Sequence, residues 1–260
     1  MSDWWRELQA RVDRPPALPR AALHVGAGAQ PVGSIEPALA QRMRADGLPI
    51  EPAPEGWRVG GATPDASLAG IAQWLRAQRV IAGWRDELLA VGDAAGAHVA
   101  VIERAAVRAL GLTTRAVHLV GRAEACGVWV QQRAFDKATD PGRWDTLMGG
   151  QVAAGETVET TLARETWEEA GLDVATLLEL DRGESLTIRR PVAEGYMVEH
   201  IDVYAARLPA GAEPRNQDGE VERFECLTAA ALDQRLAGDA FTLEATLILG
   251  ARLRPVPKAS

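Results

Sequence analysis

The chain has 260 residues, more than one average domain but not clearly two. Its 47% apolar and 25% charged content is ordinary for a globular protein. A net charge of −8 with no basic run excludes a surface built to coat nucleic acid, so an anionic substrate would need local positive charge or a metal at its site.

Met1–Val12 is predicted as a short helix with Trp4, Trp5 and Leu8 on one side, broken by Pro15 and Pro16. Charges interrupt its apolar pairs, so it reads as neither a signal peptide nor a membrane span, and a cytoplasmic location is expected. Ala21–Val25 is a short apolar strand. Gly33–Ala45 reads as a helix, with Ile35, Leu39 and Met43 at fourfold spacing and Gly47 as its stop. Ile50–Val59 contains Pro52 and Pro54 and reads as a turn and a strand end at Trp57 and Val59. Thr63-Pro64 opens a helix whose buried stripe is Leu68, Ile71, Trp74 and Leu75. Leu88–Val91 and Val99–Ile102 are predicted strands joined through Gly92–Gly96. His24 and His98 stand alone and are expected to be structural or exposed. Residues 1–112 are thus expected to form an N-terminal α/β domain, and 113–260 a second one.

The second unit opens with strands at Ala116–Val120 and Val128–Gln132, a polar loop at Arg133–Gly142, and Trp144–Met148 leading into a glycine pair. A helix over Thr157–Ala170 follows, stopped by Gly171. Further strands are predicted at Leu177–Leu180, Leu186–Arg190, Tyr196–Ala206 and Glu220–Leu227, with helices from Thr228 and over Thr242–Leu253, and a tail marked by Pro255 and Pro257. Cys126 and Cys226, with no CxxC and no histidine cluster, are expected to be two buried thiols in a reducing compartment. Trp129, Trp144 and Trp167 are expected in the core.

The segment Gly149–Leu172, GGQVAAGETVETTLARETWEEAGL, carries the chemistry. Glu165, Glu168 and Glu169 stand at i, i+3 and i+4, so a helix presents all three on one face, where like charges repel unless a cation sits among them. Oxygen-only ligands suit Mg²⁺ or Mn²⁺ better than zinc. With Gly150, Glu156, Arg164, Glu165, Glu168, Glu169, Gly171 and Leu172 at fixed spacing, the segment resembles the Nudix box. Thr166 departs from it where an aliphatic residue is usual. The resemblance implies an α/β/α sandwich with a mixed sheet. The segments Glu103–Gly121 and Lys137–Glu156 are further similar to a Nudix subgroup with an extra N-terminal domain, related to the region fused to thiamine pyrophosphokinase in fungi.

The resemblance implies a Mg²⁺-dependent (or Mn²⁺-dependent) pyrophosphohydrolase acting on a small-molecule diphosphate, with thiamine diphosphate or a damaged analogue favoured by the subgroup. Glu165 and Glu169 are implied as direct ligands, Glu168 as sharing or orienting them, the Gly149 carbonyl as completing the shell, and Glu156 as a more distant contributor. Arg164 is implied to hold a carboxylate in place. The general base is left between Glu165 and a distant pair, Glu220 and Glu222, with Glu222 preferred as the deeper in its strand. Gln131, Arg133 and Lys137 are candidates for substrate contact. The alternatives are a nucleoside diphosphate derivative as substrate, a non-catalytic Nudix-fold binding module, and a diphosphate isomerase using Cys126. No nucleic-acid or membrane partner is expected, and a homodimer is left open.

Overall fold

The computed structural model describes residues 3–253, with side chains from residue 6 to 251. The expectations for the Trp4 and Trp5 side chains and for Pro255 and Pro257 lie outside the described residues. After helix α1 (Asp3–Val12), the chain builds a four-stranded sheet from β1 (Ala21–Val25), β2 (Gly33–Ile35), β3 (Ile50–Ala53) and β4 (Gly56–Val59), in the order β2-β1-β4-β3. Helices α2 (Pro37–Ala45) and α3 (Pro64–Ala77) and the hairpin of β5 (Leu88–Gly92) and β6 (His98–Glu103) complete this part. Its core joins Leu23, Ile35, Met43, Leu68, Ile71, Leu75, Ile102 and Leu110.

Two expectations are corrected here. Gly33–Ala45 is not one helix: Gly33–Ile35 pairs with β1, and the helix starts at Pro37. Proline lacks the N–H that an upstream turn would need, so it belongs in a first turn and not inside a helix. Ile50–Val59 is a complete hairpin, and Pro52 is accommodated because β3 lies at the sheet edge. The α3 start is as expected, with Thr63 Oγ1 accepting from Ala66 N and Pro64 at the first position.

The rest is a mixed eight-stranded sheet, made of β7 (Thr113–Ala123), β8 (Gly127–Arg133), β9 (Trp144–Asp145), β10 (Met148–Gln151), β11 (Leu178–Arg182), β12 (Leu186–Val192), β13 (Gly195–Arg207) and β14 (Val221–Leu227). The path runs β11-β13-β7-β8-β14, with β10 on β7, β9 on β8 and β12 on β13; β7 and β13 are parallel and the other pairs antiparallel. Alternation along β7 divides two cores. Val117 and Leu119 pack with Val158 and Leu162 of α4 (Val158–Ala170), whereas Ala116 and Val120 face the side covered by α5 (Ala229–Ala237) and α6 (Leu243–Leu253). Helices on both faces of a mixed sheet give the expected α/β/α layering. Leu8 of α1 packs in this second core instead of the first.

The expectation of two separate thiols is overturned. Cys126 and Cys226 are joined by a disulfide with 5.8 Å between Cα atoms. The cause is strand register: β14 pairs Cys226 with Trp129 of β8, which brings it beside the turn that enters β8. Among the described residues no helix is long and apolar enough to cross a membrane.

Candidate active site

The site begins where α4 begins. Thr157 caps the helix, its Oγ1 accepting from Thr160 N while Thr160 Oγ1 accepts from Thr157 N. Glu156 therefore stands just ahead of the first turn, and Thr161 Oγ1 donates to its Oε2 at 2.7 Å. Two turns on, Arg164 reaches back to it, Nε to Oε1 at 2.8 Å and Nη2 to Oε2 at 2.9 Å. The same guanidinium donates through Nη1 to Glu165 Oε1 and Glu168 Oε2, both at 2.9 Å. These hydrogen bonds from Arg164 hold the Glu156 carboxyl down at about 2.

Glu165 and Glu169 are in a different state. The Glu165 carboxylate lies against Gly150, where an added Cβ would stand 2.3 Å from its Cδ. Burial pushes Glu165 up to about 7, against the pull of Arg164. Glu169 is buried; its Oε2 accepts from Gly149 N at 3.0 Å and from Gln131 Nε2 at 2.9 Å. Burial, then the charge of Glu165, pushes it up to about 8. The helix ends beyond it at Gly171, whose φ of 63° is left-handed and readily adopted by glycine. Thr166 is wholly buried, and its hydroxyl has no hydrogen-bond partner among the described residues.

Among the described residues no three acidic, histidine or cysteine side chains converge to hold an ion. Glu165, Glu168 and Glu169 share a helix face but diverge at their tips: Glu168 is half-exposed on Arg164, while Glu169 turns inward to Gly149. The donor chemistry nevertheless fits a hard divalent cation. The carboxylates offer oxygen alone, Gly150 leaves space that a side chain would fill, and buried Glu169 stands beside partly buried Glu165, whose charge disfavours its ionisation.

A cleft of ≈ 150 Å³ opens beside Glu165 and Gly150, rimmed by Arg104, Arg108, Arg133, Lys137 and Glu220. Of the sequence candidates, Arg133 and Lys137 thus reach it. Arg133 is partly committed, donating to Thr139 O at 3.0 Å, and Lys137 pairs with Glu220. Gln131 stands behind the cleft as a support for Glu169. The preference between the two distal glutamates reverses: Glu220 lines the cleft, whereas Glu222 is exposed at a bulge between Val221 and Arg223 of β14. The extra residue shifts the pleat, so spacing along the strand no longer sets the face. Trp144 is core and Trp129 packs against the α4-side core, but Trp167 is 56% exposed, contrary to expectation.

Sequence reasoning missed several cleft residues. Glu199 of β13 and Glu244 of α6 both line it, as do Gln151, His118 and Arg190. Glu199 carried a readable signal, because it interrupts the buried series Met197, Ile201, Val203 on one strand face. Burial, then the charge of Glu199, pushes Glu244 up to about 7. Arg104 and Arg108 come from the segment that closes the first unit, and a second cavity of ≈ 200 Å³ continues past them to Thr114 and Arg85.

A family model for the NUDIX domain matches residues 111–246. Nudix hydrolase 24, chloroplastic, of Arabidopsis thaliana is 31% identical over 180 residues, 63% of this chain and 46% of the relative. The chain therefore spans about half the length of that plant protein. The putative 8-oxo-dGTP diphosphatase 2 of Mycobacterium tuberculosis H37Rv is 39% identical over 107 residues, 41% of this chain and 67% of the relative. Among solved structures, DR0079 from Deinococcus radiodurans superposes with a TM-score of 0.51 at 24% identity, covering 63% of this chain and 98% of that one. That last likeness concerns the fold.

Proposed function

Because the chain belongs to the NUDIX domain family, we propose that it hydrolyses the diphosphate bond of a small organic diphosphate with Mg²⁺ or Mn²⁺. The observation that carries this reading is the Glu165 carboxylate seated on Gly150 at the floor of a cleft with a cationic rim. Glu165 and Glu169 would hold the cation, with Glu168, Glu156 and the Gly149 carbonyl as further oxygen donors. When bound, such a cation neutralises charge on the phosphate oxygens and makes water a better nucleophile.

The chain's own residues supply the rest. Arg164 fixes Glu156, Glu165 and Glu168 relative to one another. Glu220, or Glu165 itself, accepts the proton of the attacking water. The water oxygen forms a bond to one phosphorus, the bridging P–O bond breaks, and a monophosphate and inorganic phosphate leave. Arg133 and Lys137 bind the phosphate oxygens, and Arg104 and Arg108 extend that positive rim.

For the organic group, thiamine diphosphate or a damaged analogue is our first candidate. Its support is that Glu103–Gly121 and Lys137–Glu156, the segments similar to the thiamine-linked subgroup, both border the cleft. On this reading residues 1–112 form a separate domain, apart from α1, which packs on the second core, and its last segment walls the substrate. A nucleoside diphosphate derivative is the second reading, favoured by the 8-oxo-dGTP diphosphatase name of one relative. A non-catalytic module is disfavoured by the intact carboxylates, and an isomerase by the disulfide that holds Cys126.

The test is a hydrolysis panel with Mg²⁺ on wild type and Glu169→Gln, holding thiamine diphosphate, oxidised thiamine diphosphates, ADP-ribose, NADH and nucleoside triphosphates. We expect turnover of a thiamine-type diphosphate, reduced roughly 10²-fold or more in the variant. Nucleotide turnover alone would move the second reading forward. Absence of metal-dependent turnover of every compound would overturn the hydrolase reading.

A further inference from the structure

The peptide group that holds Glu169 is itself held from behind. Glu169 Oε2 accepts from Gly149 N, and the carbonyl of that same peptide, Met148 O, accepts from Thr146 Oγ1 at 2.8 Å. In a trans peptide the N–H and the C=O point in opposite directions, so Thr146 and Glu169 bond to its two sides. Thr146 Oγ1 in turn lies 2.9 Å from His118 Nδ1. A hydroxyl carries one proton and a carbonyl only accepts, so the Thr146 proton goes to Met148 O and His118 Nδ1 is the donor to Thr146. Asp145 Oδ1, 3.6 Å from that nitrogen, favours a proton there as well. Three hydrogen bonds therefore run in one direction, from the imidazole through the hydroxyl and the peptide to the Glu169 carboxylate. Bonds aligned head to tail polarise one another, and His118, Thr146 and Glu169 are all buried.

The fold sets each link. Antiparallel pairing of β10 with β7 puts Gly149 opposite His118, and a Cβ added at Gly149 would stand 2.6 Å from the ring's Cε1, so the imidazole lies directly against the glycine. Thr146, between β9 and β10, is pinned by its N–H on Asp145 Oδ1 at 2.8 Å. Its own carbonyl accepts from Gln131 N at 3.3 Å, and Gln131 is the second donor to Glu169 Oε2. Thr146 thus steadies both donors of one carboxylate oxygen. Glu169 Oε1 accepts no hydrogen bond among the described residues and is the oxygen left for a cation.

Resting on the metal site of the proposed function, we propose that His118 is a positioning residue of that site, aiming the Glu169 carboxylate at the divalent cation through Thr146 and the Met148–Gly149 peptide. Groups that bond to a metal's ligands tune its affinity much as the ligands do.

The test is a Mn²⁺ titration of the full chain, followed by the paramagnetic resonance signal of the free ion. His118→Phe and Thr146→Val remove the donor but keep the shape, and each is expected to weaken Mn²⁺ binding roughly tenfold. His118→Asn, with an N–H near the place of Nδ1, and Thr146→Ser are expected to recover most of that loss. A role in packing alone predicts the reverse order at position 118, because phenylalanine fills the space that asparagine leaves part empty. Long-range proton–nitrogen spectra of the ion-free protein are expected to show a proton on His118 Nδ1, the signal being assigned by its loss in His118→Phe. Near-ultraviolet circular dichroism checks the fold, and either pair of variants suffices if the other fails to fold. Unchanged affinity in the folded donor-free variants, the reverse order at position 118, or a bare Nδ1 would overturn the assignment. A wild type that binds no Mn²⁺ overturns the metal centre and this role together. Mn²⁺ binding without turnover of any diphosphate overturns the hydrolase reading and leaves the role of His118 standing.

Discussion

Arg164 holds both oxygens of Glu156 in a two-pronged bond, at 2.8 and 2.9 Å, while its remaining nitrogen spans Glu165 and Glu168. One planar cation thus sets the spacing of three acids. Lysine has the charge but not the fork. Arg164→Lys is expected to lower kcat roughly 10²-fold through misplacement of Glu165, with the fold retained. Steady-state kinetics beside a urea melt would check this; a variant with wild-type kcat would remove Arg164 from the positioning role.

Gly150→Ala makes a similar point from the other side of the contact. Its new Cβ would stand 2.3 Å from Cδ and 2.4 Å from Cγ of Glu165, so the carboxylate has to move. Since Glu165 is a side chain able to swing away, stability should change little while kcat falls by roughly 10²-fold. Loss of activity without loss of Tm is the expected signature.

Glu244 makes stability depend on pH. Its pKa rises from 4.5 in the unfolded chain to about 7 in the folded one, through burial and the charge of Glu199, with Arg190 opposing and Asp145 adding. Between those values the folded chain holds a proton that the unfolded chain has released, so stability falls as pH rises through this window. Glu244→Gln is expected to remove that slope. Relative to wild type it should gain on the order of 3 kcal/mol between pH 4.5 and pH 8 in urea unfolding. Parallel curves for the two proteins would sink the idea.

Thr166 buries a hydroxyl with no partner among the described residues, at a position where the Nudix pattern has an aliphatic residue. Valine has nearly the same shape and no group to desolvate. Thr166→Val is expected to stabilise the protein by about 1 kcal/mol, visible as a higher urea midpoint. A lower midpoint would show that the hydroxyl is satisfied in solution.

Where periodicity and burial agree, the sequence was sufficient. The α4 helix, its Thr157 start and Gly171 stop follow from local rules, as does the alternation that splits β7 between two cores. The box acids were legible for the same reason, since one helix carries them all. What was not legible depends on strand register. The bulge in β14 decides that Glu220 and not Glu222 enters the cleft, and pairing of β14 with β8 decides that the two cysteines meet. Gln131 was named as a substrate contact, but only the packed structure shows it bonded to Glu169. Glu199 was visible as a charge on an apolar strand face, a signal that a search centred on the box passed over.

The Cys126–Cys226 bond closes a ring in the covalent chain, 100 residues around. The whole of α4, the glycine pair and Glu220 lie on that ring, whereas Arg104, Arg108 and Glu244 lie on its two free ends. One cut within the ring, for example at the exposed Asp218–Gly219 turn, opens it without dividing the molecule. A nicked chain should migrate as one species until a reductant is added, and only then separate into two. The segment carrying the acids is thereby tethered at both ends, so a single break in the backbone leaves it covalently attached to the rest of the protein.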